Sequence, residues 1–148
     1  MYKRQALEYL RDEGGGLPDV MVSVPTTSPL RLPSDVEAVL ETFRAGNWDA
    51  VVTATPARRS PYFNMIQVDE SGRASLPLPP AEGFSRRQDV PALYDLCTVA
   101  YAVRPGHVLD NGYLFDGRVG TVMIPAERSL DIDTPFDLLL AELLLSRS

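Results

Sequence analysis

The sequence predicts an α/β domain built on parallel strands. Three observations carry the prediction. Two short β-branched runs, Val20–Val24 and Asp49–Ala54, flank a stretch of helical period in which Val36, Val39, Leu40 and Phe43 share one face. Strand, helix and strand joined by short loops form a βαβ unit, whose crossover makes the two strands parallel. Apolar residues make up 45% of 148 residues, enough to bury one core, so a single domain over 1–148 is expected.

Each element has a local cause. Ala6–Glu13 reads as the end of a helix, stopped by Gly14-Gly15-Gly16 because glycine tolerates the left-handed backbone past a helix terminus. Val20–Val24 reads as a buried strand, followed by the proline-punctuated loop Pro25–Arg31. Ser34 is a suitable N-cap with Glu37 three residues on, so the next helix is expected from Asp35 to about Ala45, ended by Gly46-Asn47. Phe63–Val68 reads as a strand and Glu70–Arg73 as a turn. Ser75–Asp89 is rich in proline and charge and reads as an excursion, a flap or partner-binding arm that extends to about residue 91. Val99–Val103 and Val119–Ile124 supply further strands, Pro105–Asp110 a helical turn, and Leu130–Ile132 a short strand or strand end. Thr134 N-caps a last helix whose face of Phe136, Leu139, Leu140, Leu143 and Leu144 is expected to meet the core.

Composition excludes several classes of function. Twenty acids against fourteen bases leave a net charge of −6, which disfavours binding to nucleic acid or to an anionic membrane. One cysteine, Cys97, allows neither an internal disulfide nor a cysteine-based zinc site, and one histidine, His107, allows no histidine cluster. Lys3 is the sole lysine, so a P-loop or Schiff-base lysine is absent unless Lys3 serves. No apolar run spans a bilayer and no signal peptide opens the chain, which makes the cytoplasm the expected compartment. Cys97 reads as a small buried residue, His107 as a solvated one in a Pro-Gly-His turn, and Tyr101 as core or pocket wall.

The residues with possible chemistry are few. Asp131 and Asp133 are two apart, so on an extended segment they share a face and could hold magnesium beyond a strand end. The same spacing also suits a helix-capping Asp133 beside a solvated Asp131. The Pro25–Arg31 loop follows a strand, where α/β folds bind substrates, and Thr26, Thr27 and Ser28 offer hydroxyls, although a rigid proline turn would use the same residues. Arg87 could grip a carboxylate bidentately or be a solvated charge beside Arg86.

Taken together these segments resemble the acylneuraminate (CMP-sialic acid synthetase) family of cytidylyltransferases, from about Ala6 to Leu145. That family's Gln-Pro-Thr-Ser-Pro-Leu-Arg loop is matched by Pro25-Thr26-Thr27-Ser28-Pro29-Leu30-Arg31. Its Arg-Gln-x-x-Pro is matched by Arg87-Gln88-Asp89-Val90-Pro91, its tyrosine-bearing strand at Tyr101, and its Arg-Ser-x-Asp-Ile-Asp-Thr by Arg128 to Thr134. The resemblance implies a Rossmann-like nucleotidyltransferase fold of the nucleotide-diphospho-sugar transferase type. It implies transfer of CMP from CTP to the anomeric hydroxyl of an acidic nine-carbon sugar, with pyrophosphate released and magnesium required. It implies that Asp131 and Asp133 hold the metal and act in catalysis, that Pro25, Thr26, Thr27 and Ser28 form the substrate loop, and that Arg87 recognises the sugar. Tyr101, Leu114 and Phe115 would line the pocket for its acyl arm. A homodimer is expected, with the Ser75–Asp89 region near the partner subunit.

Departures from the pattern sharpen these expectations. Pro25 stands where the family has a sugar-contacting glutamine, Cys97-Thr98 where it has Asn-Gly, and no lysine stands near Phe63–Asn64. All three touch the sugar side, so a legionaminic-, pseudaminic- or Kdn-type substrate is expected. Nothing in the sequence matches the family's Arg-x-Gly-Ser-Lys phosphate loop. The chain is therefore expected to be the C-terminal portion of such an enzyme, inactive or nearly so alone. A non-catalytic relative that pairs with another subunit is the second reading, and a Kdo-type enzyme the third.

Overall fold

The computed structural model describes residues 2–78, 90–110 and 113–147. They form two compact units, one of residues up to Thr55 together with those from Leu96 onward, the other Pro56–Asp95.

The first unit is a four-stranded mixed sheet with helices. In chain order it contains α1 (Tyr2–Asp12), β1 (Met21–Ser23), α2 (Pro33–Ala45), β2 (Ala50–Pro56), β5 (Tyr94–Val103), α3 (Pro105–Asp110), β6 (Val119–Met123) and α4 (Pro135–Leu145), where β2 and β5 run across the unit boundary. The strand order is β1-β5-β2-β6. β2 and β6 are parallel, from Ala50 opposite Val119 to Ala54 opposite Met123. β1 and β5 are antiparallel, with Met21 opposite Val103 and Ser23 opposite Tyr101. Beside β2, β5 also runs antiparallel: the Arg104 N–H donates to Asp49 O at 2.8 Å at one end, and Thr53 Oγ1 donates to Cys97 O at 2.8 Å farther along. The expected βαβ unit is present, so β1 and β2 are parallel, but β5 lies between them.

α1 ends at the predicted glycines, and Gly14 and Gly16 take φ of +78° and +70°, which only glycine adopts without strain. α2 begins two residues before the expected start. Leu32 is its N-cap and Pro33 its first residue, the position proline favours because that N–H has no helical partner. Asp35 supplies the cap, its Oδ2 accepting the Leu32 N–H at 2.8 Å. Val39 and Phe43 are buried as expected and join Val51, Ala100 and Ala102 in the main core cluster, against Val36 and Trp48. The Trp48 indole crosses the backbone at Gly120, where a Cβ would lie 2.9 Å from the ring. Cys97 is buried, as expected, with Val99 and Ile124.

Three expectations fail here. Leu130–Ile132 is not a strand; the chain beyond β6 is a 3₁₀ turn, Ala126–Arg128, and then an irregular segment whose Ile132 N–H donates to Thr27 O. His107 is buried, not solvated. It packs under Gly117, and its Nε2–H donates to Leu114 O at 3.0 Å. α4 forms where predicted, with Thr134 and Asp137 capping each other, but Phe136, Leu139 and Leu143 are exposed and Ala141 is its buried residue. A helix reading Phe-Asp-Leu-Leu-Leu-Ala-Glu-Leu-Leu-Leu is apolar nearly all round, so its period does not fix which face turns inward.

The second unit carries a two-stranded hairpin of β3 (Gln67–Val68) and β4 (Ala74–Ser75). Its turn is the predicted one: Asp69 Oδ1 accepts from the Ser71 and Arg73 N–H groups, and Gly72 takes φ +84°. The strand expected over Phe63–Val68 shrinks to its last two residues. Ser60 O accepts the N–H groups of Phe63, Asn64 and Met65, which winds that stretch into turns. Most of the Ser75–Asp89 excursion, including Arg86, Arg87 and Gln88, lies outside the described residues.

Candidate functional site

Parallel strands deliver two segments to one end of the first unit: the loop after β1 and the segment after β6. In an α/β sheet the ligand crevice lies beyond such carboxyl ends. The loop is held by its own residues. The Arg31 guanidinium folds back on the carbonyls of Ser28 (2.9 Å) and Pro25. Ser28 is fully buried and its hydroxyl shares a 2.7 Å hydrogen bond with Thr98 Oγ1 in β5. Thr26 and Thr27 remain exposed. Ser28 is thus an anchor, whereas the two threonine hydroxyls are free to meet a ligand.

The segment after β6 is fixed at both ends. At its start, Arg128 makes a bidentate pair with the buried Asp35, Nη2 to Oδ1 at 2.7 Å and Nε to Oδ2 at 3.1 Å. Burial alone would raise the Asp35 pKa, but hydrogen bonds from Arg128 and the Leu32 N–H, with the arginine's charge, hold it below the ordinary value. At the far end Thr134 caps α4, its Oγ1 donating to Asp137 Oδ2 at 2.7 Å. Between these, the Ile132 N–H donates to Thr27 O at 2.8 Å and ties the segment to the Pro25–Arg31 loop.

Asp131 and Asp133 stand on this tied segment. Asp131 is partly buried, and its Oδ1 is out of contact with solvent yet has no hydrogen-bond partner. An unsatisfied buried carboxylate oxygen costs free energy unless a cation or donor completes it. Asp133 is exposed. Among the described residues no cluster of three or more His, Cys, Asp and Glu side chains is placed to hold a metal ion. The donor set therefore fits magnesium only in its usual manner, with one or two carboxylates and the remaining ligands from water and phosphate.

Tyr101 lies opposite Ser23, the last residue of β1. Its pKa is raised, first by burial and then by Cys97 and the charge of Asp131. The Lys3 ammonium sits 4.7 Å from the centre of its ring, and burial lowers the lysine pKa. Leu114 and Phe115 lie elsewhere. They belong to the 3₁₀ turn Leu114–Asp116 that precedes β6, the opposite end from Asp131, where the Phe115 ring is exposed and meets Tyr113 at 5.6 Å. The structure thus brings together Pro25–Ser28, Tyr101 and the Asp131–Asp133 segment, leaves Leu114 and Phe115 apart from them, and does not describe Arg87.

Sequence reasoning missed Asp35, and named Thr98 and Lys3 without placing either. Asp35 was visible as an acid in the third position after Leu32-Pro33, once the helix is started at proline. Thr98 reaches Ser28, and Lys3 reaches the Tyr101 ring, through the fold alone.

No family model matches the chain. It is 30% identical over 127 residues to post-translational flagellin modification protein B of Campylobacter coli, covering 86% of this chain and 53% of that protein. It is 31% identical over 97 residues to the CMP-N,N'-diacetyllegionaminic acid synthase of Campylobacter jejuni, covering 65% and 40% respectively. The chain resembles the cytidylyltransferases for sialic-acid-like sugars. It spans about half the length of the curated relatives it matches. Its fold is that of the nucleotide-diphospho-sugar transferases. A CMP:2-keto-3-deoxy-manno-octonic acid synthetase solved with CTP superposes with a TM-score of 0.63 at 14% identity, covering 98% of this chain and 68% of that one. The 4-diphosphocytidyl-2C-methyl-D-erythritol synthase of Anaerococcus prevotii does so with a TM-score of 0.59 at 13% identity, covering 88% and 60%. Among the described residues no helix is long and apolar enough to cross a membrane.

Proposed function

We propose that this chain carries metal-side and sugar-side residues for transfer of CMP from CTP to the anomeric hydroxyl of an acidic nine-carbon sugar, with release of pyrophosphate. The observation that carries the reading is the orphaned Asp131 Oδ1 on a segment hydrogen-bonded to the Pro25–Arg31 loop. Asp131 and Asp133 would hold magnesium, which when bound neutralises charge on the α-phosphate and the leaving pyrophosphate. Thr26 and Thr27 present hydroxyls to the reactants, and Tyr101 forms a wall beside the loop. Arg87 is assigned to the sugar on the Arg-Gln-x-x-Pro motif it matches, and Leu114 and Phe115, apart from the loop and the carboxylates, are left out of this reading. The legionaminic acid synthase among the relatives supports a legionaminic-type sugar.

No Arg-x-Gly-Ser-Lys-type phosphate loop occurs in the sequence. We therefore expect slow turnover by this chain alone, and the same observation favours, as second reading, a non-catalytic member that pairs with another subunit. The test is incubation of the chain with CTP, magnesium and a panel of nonulosonic acids, read as CMP-sugar formed. Slow formation confined to nonulosonic acids and lost in Asp133→Asn is expected. Equal formation by Asp133→Asn contradicts the assignment of the carboxylates, and failure of the chain to bind CTP with magnesium favours the second reading.

A further inference from the structure

We infer that Lys3 is the cation that recognises the carboxylate of the acidic sugar, an assignment that rests on the reading above. The site presents Asp131 and Asp133, so an anionic sugar entering it is repelled unless a cation faces it. The basic side chains described around this end of the sheet are mostly engaged. Arg31 spends its guanidinium on the carbonyls of Ser28 and Pro25, inside its own loop. Arg128 is locked bidentately on Asp35. Lys3 differs from both: among the described residues its ammonium has the face of Tyr101 as its partner, at 4.7 Å, and no hydrogen bond or ion pair. An ammonium carries three N–H donors, and an aromatic face satisfies none of them as a carboxylate would.

The fold places this lysine deliberately close. α1 rests on α3, and the Arg4 guanidinium is pinned to Leu109 O, so the first turn of α1 is fixed against the unit. From that turn the lysine stem reaches the ring of Tyr101, which stands opposite the last residue of β1, where the substrate loop begins. The aromatic face holds the ammonium at the wall of the site without neutralising it. A carboxylate arriving beside Tyr101 would find an unpaired, partly desolvated cation, where charge-assisted hydrogen bonds are strongest. Two of the departures on the sugar side fit this placement. Pro25 brings no amide donor, and no lysine stands near Phe63–Asn64. The sole lysine of the chain stands at Tyr101 instead.

The test separates carboxylate from phosphate and this assignment from the broader reading. The whole 148-residue chain is titrated by calorimetry with N,N'-diacetyllegionaminic acid, with its methyl ester, with inorganic pyrophosphate, and with CTP plus magnesium. Wild type is expected to bind the acid about tenfold or more tighter than the ester. Lys3→Gln should weaken the acid to the level of the ester and leave the ester unchanged, and Lys3→Arg should restore most of the preference, which a merely structural role would not do. Equal binding of acid and ester by wild type, binding of neither, or an unchanged acid affinity in Lys3→Gln overturns the assignment. So does a Lys3→Gln effect confined to pyrophosphate. A chain that binds CTP with magnesium but shows no preference for the acid refutes the role of Lys3 and leaves the cytidylyltransferase reading standing. A chain that prefers the acid through Lys3 but ignores CTP does the reverse.

Discussion

Asp35 joins three parts of the molecule through one carboxylate. It caps α2 through the Leu32 N–H, fixes the end of the Pro25–Arg31 loop one residue before Leu32, and holds Arg128 at the start of the Asp131–Asp133 segment. Asp35→Asn keeps the shape but removes the charge from a buried pair, and should cost on the order of 2 kcal/mol. The acid dependence has a definite sign. The folded pKa lies below the ordinary value, so the contribution is complete above about pH 4 and is lost as pH falls through the folded pKa. Urea unfolding at pH 7 should therefore show the full gap between wild type and Asp35→Asn, and unfolding at pH 2 a smaller one. A gap that is constant or grows in acid would contradict the pairing. At this scale the sequence was only half readable. The carboxylates Asp131 and Asp133 and the hydroxyls of the loop stand out by motif. Asp35 looks like any first-turn acid until its partner, 93 residues away, is folded against it.

Among the elements, α4 shows how pattern fails when contrast is missing. Its start was legible because Thr134 and Asp137 are polar residues with a capping geometry. Its buried face was not, because leucines surround it and nothing marks the side that faces in. The structure buries Ala141 and exposes Phe136, Leu139 and Leu143. Ala141→Leu should overpack the interface and lower stability by about 1–3 kcal/mol, whereas Phe136→Ser should change it by less than about 0.5 kcal/mol. Chemical denaturation of the two variants checks this; the reverse ranking would restore the face expected from the period. The hairpin of β3 and β4 makes the complementary point. Its turn was legible from Glu70 to Arg73, while the strand before it was overestimated because Ser60 O captures three successive N–H groups that the apolar composition of Phe63–Ile66 does not reveal.

For the whole molecule, the α/β class and the parallel β1–α2–β2 unit were legible from β-branched runs around an amphipathic helix. The strand order was not. β5 inserts between β1 and β2 from 38 residues beyond the end of β2, a pairing set by long-range packing of Val99, Ala100 and Ala102 that no local pattern encodes. That insertion matters for the site, since β5 brings Thr98 to Ser28 and Tyr101 to the root of the loop. The central claim is that the loop after β1 and the segment after β6 form one metal-dependent nucleotide site, in which Asp131 supplies an oxygen that the protein itself leaves unsatisfied. The measurement that tests it most directly is Mn²⁺ binding by water-proton relaxation, with and without CTP, on wild type, Asp131→Asn and Asp133→Asn. Wild type should bind Mn²⁺ and bind it more tightly with CTP, and Asp131→Asn should weaken it by roughly tenfold or more, as loss of a charged ligand from a site with few of them does. Binding that is absent in wild type, or equal in wild type and Asp131→Asn, would contradict the account.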